Sequence, residues 1–196
     1  LAPDSLAILK ERPGTVLLRT FSKAYGLAGI RCGYALTSSE IAGHLDKVRS
    51  PFNVGSLAQI AAVAALDDET FLARTVSFNH QNREALKASF TERGFGVTTS
   101  HANFLLVDLH SSAKPIFDQL LRRGVITRPV GVYGLPNSLR ITVGTAEENE
   151  RLLEAIDDIF LIRPRPLNVV DNRPWRRVAR FARGRLRKWQ PKRMGA

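Results

Sequence analysis

The stretch from Leu17 to Ala35, LLRTFSKAYGLAGIRCGYA, places a single lysine, Lys23, between hydroxyl residues and a glycine-rich turn. The residues on either side favour β structure: residues 15–21 follow a Pro-Gly turn signal, and residues 31–37 form a second short run of the same kind. The stretch therefore predicts two short strands joined by a connection that carries the lysine. This lysine needs a physical explanation, because the other charges of the body lie on polar faces.

The hydroxyl groups around the lysine suit an anion. Side chains alternate along a strand, so Thr20 and Ser22 are predicted to point to one face where the first strand ends. Two such hydroxyls can donate to a single phosphate, and Arg31 can add a bidentate, charge-assisted contact. Together these side chains predict a phosphate site next to Lys23.

Two explanations of Lys23 remain open at this point. A lysine is a nucleophile only when neutral, and both burial and a neighbouring cation favour the neutral form. An amine beside a phosphate site is the arrangement that a Schiff base with a phosphorylated aldehyde requires, and Gly26 and Gly29 would permit a tight turn and a close backbone approach. The alternative is a solvated lysine in a glycine-rich loop.

The rest of the body alternates helices and strands. Helices are predicted over residues 38–49, 56–66, 67–93, 113–123 and 147–162, and strands over residues 103–109, 125–128 and 138–143. The Ala-rich helix over residues 56–66 is expected to be buried. The later order of strand, helix, strand, strand and helix predicts a small α/β layer separate from the Lys23 region, with a boundary near residue 80.

The net charge of +11 belongs to one end of the chain. Residues 1–162 contain 17 Lys and Arg against 17 Asp and Glu, whereas residues 163–196 contain 12 basic residues and one acid. This extension is predicted to be disordered or an amphipathic helix, and contact with nucleic acid or an anionic membrane is one possible role.

Composition excludes several other classes. A single cysteine, Cys32, excludes an intrachain disulfide and fits a reducing compartment, so a cytoplasmic location is expected. The four histidines lack metal-ligand spacing, so no metal site is expected. The longest apolar run, residues 60–66, is too short to span a bilayer.

The segment TFSKAYGLAGIRCGY closely resembles the lysine motif of fold-type-I pyridoxal-phosphate aminotransferases, and most of all that of the histidinol-phosphate aminotransferases. Three further stretches are similar to the same family: KVRSPFNVGSLAQ from Lys47, the Asn-Phe pair at Asn103, and RPVGVYGLPNSLRITVGTAEEN from Arg128. The resemblance covers residues 1–162 in the same order. It implies an α/β fold that comprises the end of the large domain and the small α/β domain.

The resemblance also implies roles for single residues. Lys23 matches the Schiff-base lysine that moves the proton between the substrate Cα and the cofactor C4′. Ligands of the cofactor phosphate are matched by Thr20, Ser22 and Arg31.

Three more residues match positions that bind substrate. Arg140 matches the arginine that clamps the substrate α-carboxylate, with a strand-end ion pair as the alternative. Arg128 matches an arginine near the place of a substrate phosphate, with a plain surface charge as the alternative. Asn103 matches a pocket residue, although a turn or capping role is equally open.

Several family features lie upstream of the segment matched by Leu1, among them the aspartate on the pyridine nitrogen. The chain therefore resembles a C-terminal half: residues 1–80 from the large domain, residues 81–162 as the small domain, and residues 163–196 as a basic extension. We expect weak pyridoxal-phosphate binding and little turnover from it alone, and a homodimer for the full family protein. The alternatives are an aromatic or other amino-acid aminotransferase, a threonine-phosphate decarboxylase, and an inactive module that binds through its basic tail.

Overall fold

The computed structural model describes residues 4–161. The chain divides into two compact units, Leu1–Ser77 and Phe78–Ala196. The predicted basic extension, residues 163–196, lies outside the described residues. The domain roles that the resemblance implies for the two units remain predictions.

The first unit contains a two-stranded antiparallel ribbon and short helices. Its elements are α1 (Ser5–Glu11), β1 (Leu17–Thr20), a 3₁₀ helix (Ala28–Ile30), β2 (Gly33–Leu36), α2 (Ser39–Val48) and α3 (Ser56–Asp67). A longer helix, α4 (Glu69–Glu92), begins in this unit and ends in the second. Both predicted strands are present, each shorter than predicted, because the ladder runs only from the Leu17–Leu36 pair to the Thr20–Gly33 pair.

Helix α3 differs from its prediction in burial. The helix itself is confirmed, but only Ala58 and Ala62 are buried. Larger apolar side chains are open to solvent; Leu57 is 81% exposed and Ile60 is 66% exposed. The prediction of a buried helix is wrong for the described residues, because only its narrow alanine face packs there.

The second unit is a four-stranded antiparallel sheet covered by helices on one face. Its elements are the end of α4, β3 (Gly96–Val97), β4 (Phe104–Asp108), α5 (Ala113–Arg122), β5 (Arg128–Val130), a second 3₁₀ helix (Gly131–Tyr133), β6 (Leu135–Thr142) and α6 (Ala146–Phe160). The strand order is β3-β4-β6-β5. This arrangement confirms the predicted small α/β layer.

The strand predicted over residues 125–128 is wrong in position, since β5 begins at Arg128. The residues just before it form the turn that ends α5. The Gly124 amide donates to the Leu121 carbonyl, the Val125 amide donates to the Leu120 carbonyl, and Gly124 has a φ of +74°. This is a helix-ending turn of the kind that a left-handed glycine produces, and it delays the strand.

The core of the second unit follows the alternation of β4 and β6. Leu105, Val107, Leu139 and Ile141 face the helices and are buried. The intervening side chains occupy the other face of the sheet. That face is only half covered, and it carries the arginines considered below.

A buried ion pair joins the helices of this layer. The Arg93 Nε lies 2.6 Å from Asp157 Oδ1 and its Nη2 lies 2.7 Å from Oδ2, a bidentate contact between side chains only 2% and 4% exposed. The same guanidinium donates to the Ser89 carbonyl at 3.0 Å. The end of α4 is thereby fixed to α6. Across residues 4–161, none of the helices combines the length and apolar character needed to cross a membrane.

Candidate functional site

The connection between β1 and β2 folds back on itself through backbone hydrogen bonds. The Phe21 amide donates to the Cys32 carbonyl at 3.2 Å, and the Leu27 amide donates to the Phe21 carbonyl at 3.0 Å. Within this loop the Gly26 amide donates to the Lys23 carbonyl at 2.8 Å, with Gly26 at a φ of +71°. Lys23 therefore opens a tight turn, as predicted, and Gly26 supplies the left-handed residue.

An aromatic anchor keeps this loop on the ribbon. Phe21 is 3% exposed, and its ring centroid lies 5.0 Å from that of Tyr25 and 5.8 Å from that of Tyr34. Phe21 lies just before Ser22 and Lys23 in the chain, and Tyr25 lies just after them. The contact between the two rings therefore holds the backbone on both sides of the lysine. The apolar residue within the motif thus positions the polar ones.

The hydroxyl residues and the arginine gather at one end of the ribbon. The Ser22 amide donates to Thr20 Oγ1 at 3.1 Å, and Thr20 lies opposite Gly33 in the ladder. Arg31 is two residues before that glycine, has a φ of +56°, and donates from Nη1 to the Ala28 carbonyl at 2.9 Å. Residues 20, 22 and 31 therefore flank Lys23 at the same ribbon end.

Lys23 is exposed in this unit. Among the described residues its ammonium has no hydrogen-bond or ion-pair partner. The expectation that Lys23 is buried is therefore not met within residues 4–161. The physical reason is that this unit supplies the ribbon and turn beneath the lysine and no residue that covers it.

The close backbone approach occurs at a glycine that sequence reasoning missed. A Cβ built on Gly33 would lie 2.7 Å from the Arg19 carbonyl oxygen, whereas one on Gly29 would meet nothing within 4 Å. Gly33 is therefore required by the strand pairing itself. The signal was present in the sequence, since Gly33 stands at the end of the quoted motif.

Two arginines lie side by side on the half-covered face of the second unit. Arg128 and Arg140 are directly paired residues in the β5–β6 ladder, and directly paired residues of an antiparallel ladder share a face. Arg128 is exposed and Arg140 is half-buried. Among the described residues, neither guanidinium makes a salt bridge or a hydrogen bond, so the alternative of a strand-end ion pair for Arg140 is not observed.

An aromatic ring contacts the inner arginine. The Arg140 Cζ lies 5.2 Å from the centroid of the Phe104 ring, which comes from the neighbouring strand β4. Sequence reasoning quoted the Asn-Phe pair but gave the ring no role. Side chains alternate along β4, so positions 104 and 106 face away from the buried positions 105 and 107. This alternation could have placed the Phe104 ring on the arginine face.

Asn103 immediately precedes the same strand. Its carbonyl accepts from the Val143 amide at 2.9 Å, which closes the end of the β4–β6 pairing. Its side chain is exposed and, among the described residues, has no hydrogen-bond partner. The candidate residues thus form two groups: Thr20, Ser22, Lys23 and Arg31 in the first unit, and Asn103, Arg128 and Arg140 in the second.

Over residues 4–161, no three His, Cys, Asp or Glu side chains come together in a way that could hold a metal ion. Both groups consist of cationic and hydrogen-bonding side chains, and these suit anionic ligands.

Comparisons with known proteins agree with this chemistry. A family model described as aminotransferase class I and II matches residues 2–156. The chain is 54% identical over 159 residues to histidinol-phosphate aminotransferase 2 of Methylococcus capsulatus, covering 81% of this chain and 43% of the relative. It is 50% identical over 158 residues to histidinol-phosphate aminotransferase 2 of Pseudomonas fluorescens, with the same shares covered.

A solved structure gives the same result. The crystal structure of histidinol-phosphate aminotransferase from Sinorhizobium meliloti in complex with pyridoxal-5'-phosphate matches with a TM-score of 0.72 and 32% identity, over 77% of this chain and 42% of that chain. The fold is that of part of a fold-type-I α/β transferase. The chain belongs to the class I and II aminotransferase family. It spans less than half the length of the curated relatives named here.

Proposed function

We propose that this chain supplies the lysine, the cofactor-phosphate ligands and the substrate arginines of a pyridoxal-phosphate-dependent aminotransferase. The reaction passes an amino group between histidinol phosphate and 2-oxoglutarate in histidine biosynthesis. The observation that carries this proposal is the opposed pair of Arg128 and Arg140, whose donors are not engaged by described residues. The relatives at 50% and 54% identity support the choice of substrate.

The first group fits the phosphate of the proposed cofactor. Two hydroxyls and a guanidinium at one ribbon end provide the donors that a phosphate monoester needs. We assign Thr20, Ser22 and Arg31 to that phosphate. When bound, pyridoxal phosphate supplies a carbonyl for the amine and an electron sink that makes the substrate Cα–H acidic.

Lys23 performs the proton transfer in this proposal. An amine tethered at a tight turn beside the phosphate ligands is held within reach of the substrate Cα. The packing of Phe21 and the Lys23–Gly26 backbone hydrogen bond fix the position of the Lys23 Cα, from which the side chain extends. A neutral amine is required for this step, so a covered site is part of the proposal.

The arginine pair serves both substrates in turn. Histidinol phosphate carries a phosphate monoester and 2-oxoglutarate carries carboxylates, and a guanidinium fork matches either anion with two parallel hydrogen bonds. We assign Arg140 to the carboxylate, Arg128 to the phosphate and Asn103 to the substrate pocket. Like charges placed directly opposite each other disfavour the ladder, and a bound anion relieves that repulsion.

The proposal includes the wider organisation of the protein. Residues 1–80 act as the end of the cofactor-binding domain, and residues 81–162 act as the substrate-binding small domain. A cytoplasmic homodimer completes the site. The exposed apolar side chains of α3 support burial of this helix against further polypeptide.

A chimera tests the function. Residues 1–162 replace the matched 159 residues of the Methylococcus capsulatus relative, and transfer from histidinol phosphate to 2-oxoglutarate is measured. We expect transfer, and we expect Arg128→Gln to lower kcat/KM about tenfold or more for the phosphorylated substrate. Arg122→Gln, which removes an exposed arginine at the end of α5, is the matched control and should change little.

Three results would contradict the proposal. The first is a folded, cofactor-loaded chimera that transfers no amino group. The second is release of carbon dioxide, which would indicate a decarboxylase. The third is a loss in Arg128→Gln that is no greater for phosphorylated than for unphosphorylated substrates, which would favour an aminotransferase for other amino acids.

A further inference from the structure

Arg140 is held in place without a carboxylate. Its Cζ lies 5.2 Å from the centroid of the Phe104 ring, and the described residues offer its guanidinium no salt bridge and no hydrogen-bond acceptor. Its cross-strand neighbours are Leu106 on β4 and Arg128 on β5. The only described group that attracts this guanidinium is therefore an aromatic ring.

A ring and a carboxylate hold an arginine in different ways. A carboxylate occupies the N–H donors at the edge of the guanidinium and cancels its charge, so it competes with any anionic ligand. A ring attracts the cation through its π face and leaves the donors at the edge available. An arginine that must accept a substrate anion is better served by the ring.

The ring itself is firmly placed. Phe104 lies opposite Thr142 in the ladder, and its carbonyl accepts from Ser100 Oγ at 2.7 Å. The next residue, Leu105, is fully buried in the core. These contacts fix the backbone of Phe104 on both sides of the residue. The ring can therefore hold Arg140 in place against the repulsion from Arg128.

We infer that Phe104 is a positioning residue: its ring holds the Arg140 guanidinium in place while leaving the donors free for a substrate anion. This inference rests on the proposed function, in which Arg140 is an anion ligand. In addition to the proposed ligands, Phe104 then contributes to the affinity of Arg140 for the anion. The occupant of the Arg140 edge is the substrate carboxylate, and inorganic phosphate is the oxyanion probe that stands in for it.

The test uses the full 196-residue chain and NMR signals of the Arg140 side chain, assigned by comparison with Arg140→Lys. Protons near an aromatic face are shifted upfield by its ring current, so the Arg140 Cδ and Nε protons should resonate upfield of ordinary arginines. Inorganic phosphate is then titrated while the Arg140 Nε–H signal is followed, which separates this site from the hydroxyl cradle of the first unit.

We expect Phe104→Leu to abolish the upfield shift and to weaken phosphate binding at Arg140 about three- to tenfold. Phe104→Tyr, which keeps the ring, should retain both. Phe117→Leu is the matched control, since Phe117 is a half-buried ring of the same unit whose cationic neighbour is Lys114, 5.8 Å away. It should leave the Arg140 signals and the phosphate affinity unchanged.

Two results overturn the inference alone. One is an Arg140 signal at ordinary shifts in the unaltered chain, a measurement that does not depend on any variant folding. The other is a shift that disappears in Phe104→Leu while phosphate affinity stays the same. Failure of the unaltered chain to bind phosphate at Arg140 would instead overturn the anion site, and the proposed function with it, even with the ring contact present.

Discussion

Arg128 and Arg140 face each other across the β5–β6 ladder, and no described carboxylate lies within salt-bridge distance of either. Two like charges in directly opposed positions destabilise a sheet. A protein that keeps such a pair sacrifices stability at a site that gains from concentrated positive charge. Packing within the second unit does not account for this pair of arginines. Binding of an anionic ligand does account for it.

Removing one of these charges should stabilise the fold. Arg128→Gln is expected to raise the free energy of unfolding by about 0.2–1 kcal/mol, because the repulsion across the ladder disappears. Urea unfolding at low salt, where screening is weakest, measures the change. Arg122→Gln, the control, should leave the free energy of unfolding unchanged. If Arg128→Gln instead lowers it, the aliphatic part of Arg128 stabilises the sheet by packing more than its charge destabilises it.

Breaking the buried Arg93–Asp157 pair by removing one partner should strongly destabilise the second unit. Asp157→Ala removes the bidentate carboxylate from the buried Arg93 guanidinium and is expected to cost about 3–5 kcal/mol. The matched control is Asp118→Ala, which breaks an exposed i,i+4 pair with Lys114 and is expected to cost about 0.5 kcal/mol.

A double replacement checks the reason for that cost. Arg93→Met combined with Asp157→Leu should recover most of the lost free energy of unfolding, because both charges of the pair are removed together. If the double variant is as unstable as Asp157→Ala, the pair acts through shape and not through charge.

The ribbon of the first unit should tolerate alanine at one glycine and not at another. Gly33→Ala would force a Cβ to 2.7 Å from the Arg19 carbonyl and is expected to cost about 1–3 kcal/mol. Gly29→Ala meets nothing within 4 Å and is expected to be neutral or slightly stabilising. Hydrogen exchange of the β1 and β2 amides compares the two variants, and equal protection would contradict the close approach at Gly33.

Local signals in the sequence predicted most of the elements. Ser38 caps α2, since its Oγ accepts from the Ile41 amide at 3.4 Å. The apolar run at residues 103–109 predicted β4, and the glycine after α4 marked the end of that helix. These features depend on neighbours within a few residues, which is the range that propensity and periodicity describe.

The failures have non-local causes. Residues 125–127 have β-like composition, but Val125 is engaged in the turn that ends α5 at Gly124, and the strand begins only at Arg128. The burial of α3 depends on residues far from it in the chain, and its composition could not show that only Ala58 and Ala62 pack here. The exposure of Lys23 is of the same kind, because a cover for a side chain comes from tertiary structure.

The candidate site was predicted by residue type and not by geometry. Resemblance singled out Arg128 and Arg140 separately, but their direct opposition depends on a register with a shift between Pro129 and Val130. Sequence spacing does not fix such a shift. The contact between Phe104 and Arg140 depends on the register of a different pair of strands, β4 and β6, and was not anticipated.

The central claim is that Lys23 stands beside a phosphate cradle, and selective labelling tests it most directly. The chain is mixed with pyridoxal phosphate, reduced with borohydride, digested, and each lysine is quantified by mass spectrometry. Lys10 and Lys47, exposed lysines of the same unit, serve as internal controls. We predict about tenfold greater labelling at Lys23, lost on adding excess inorganic phosphate or in Arg31→Gln, because phosphate contacts raise the local affinity. Equal labelling of the three lysines, unaffected by phosphate, would contradict the account.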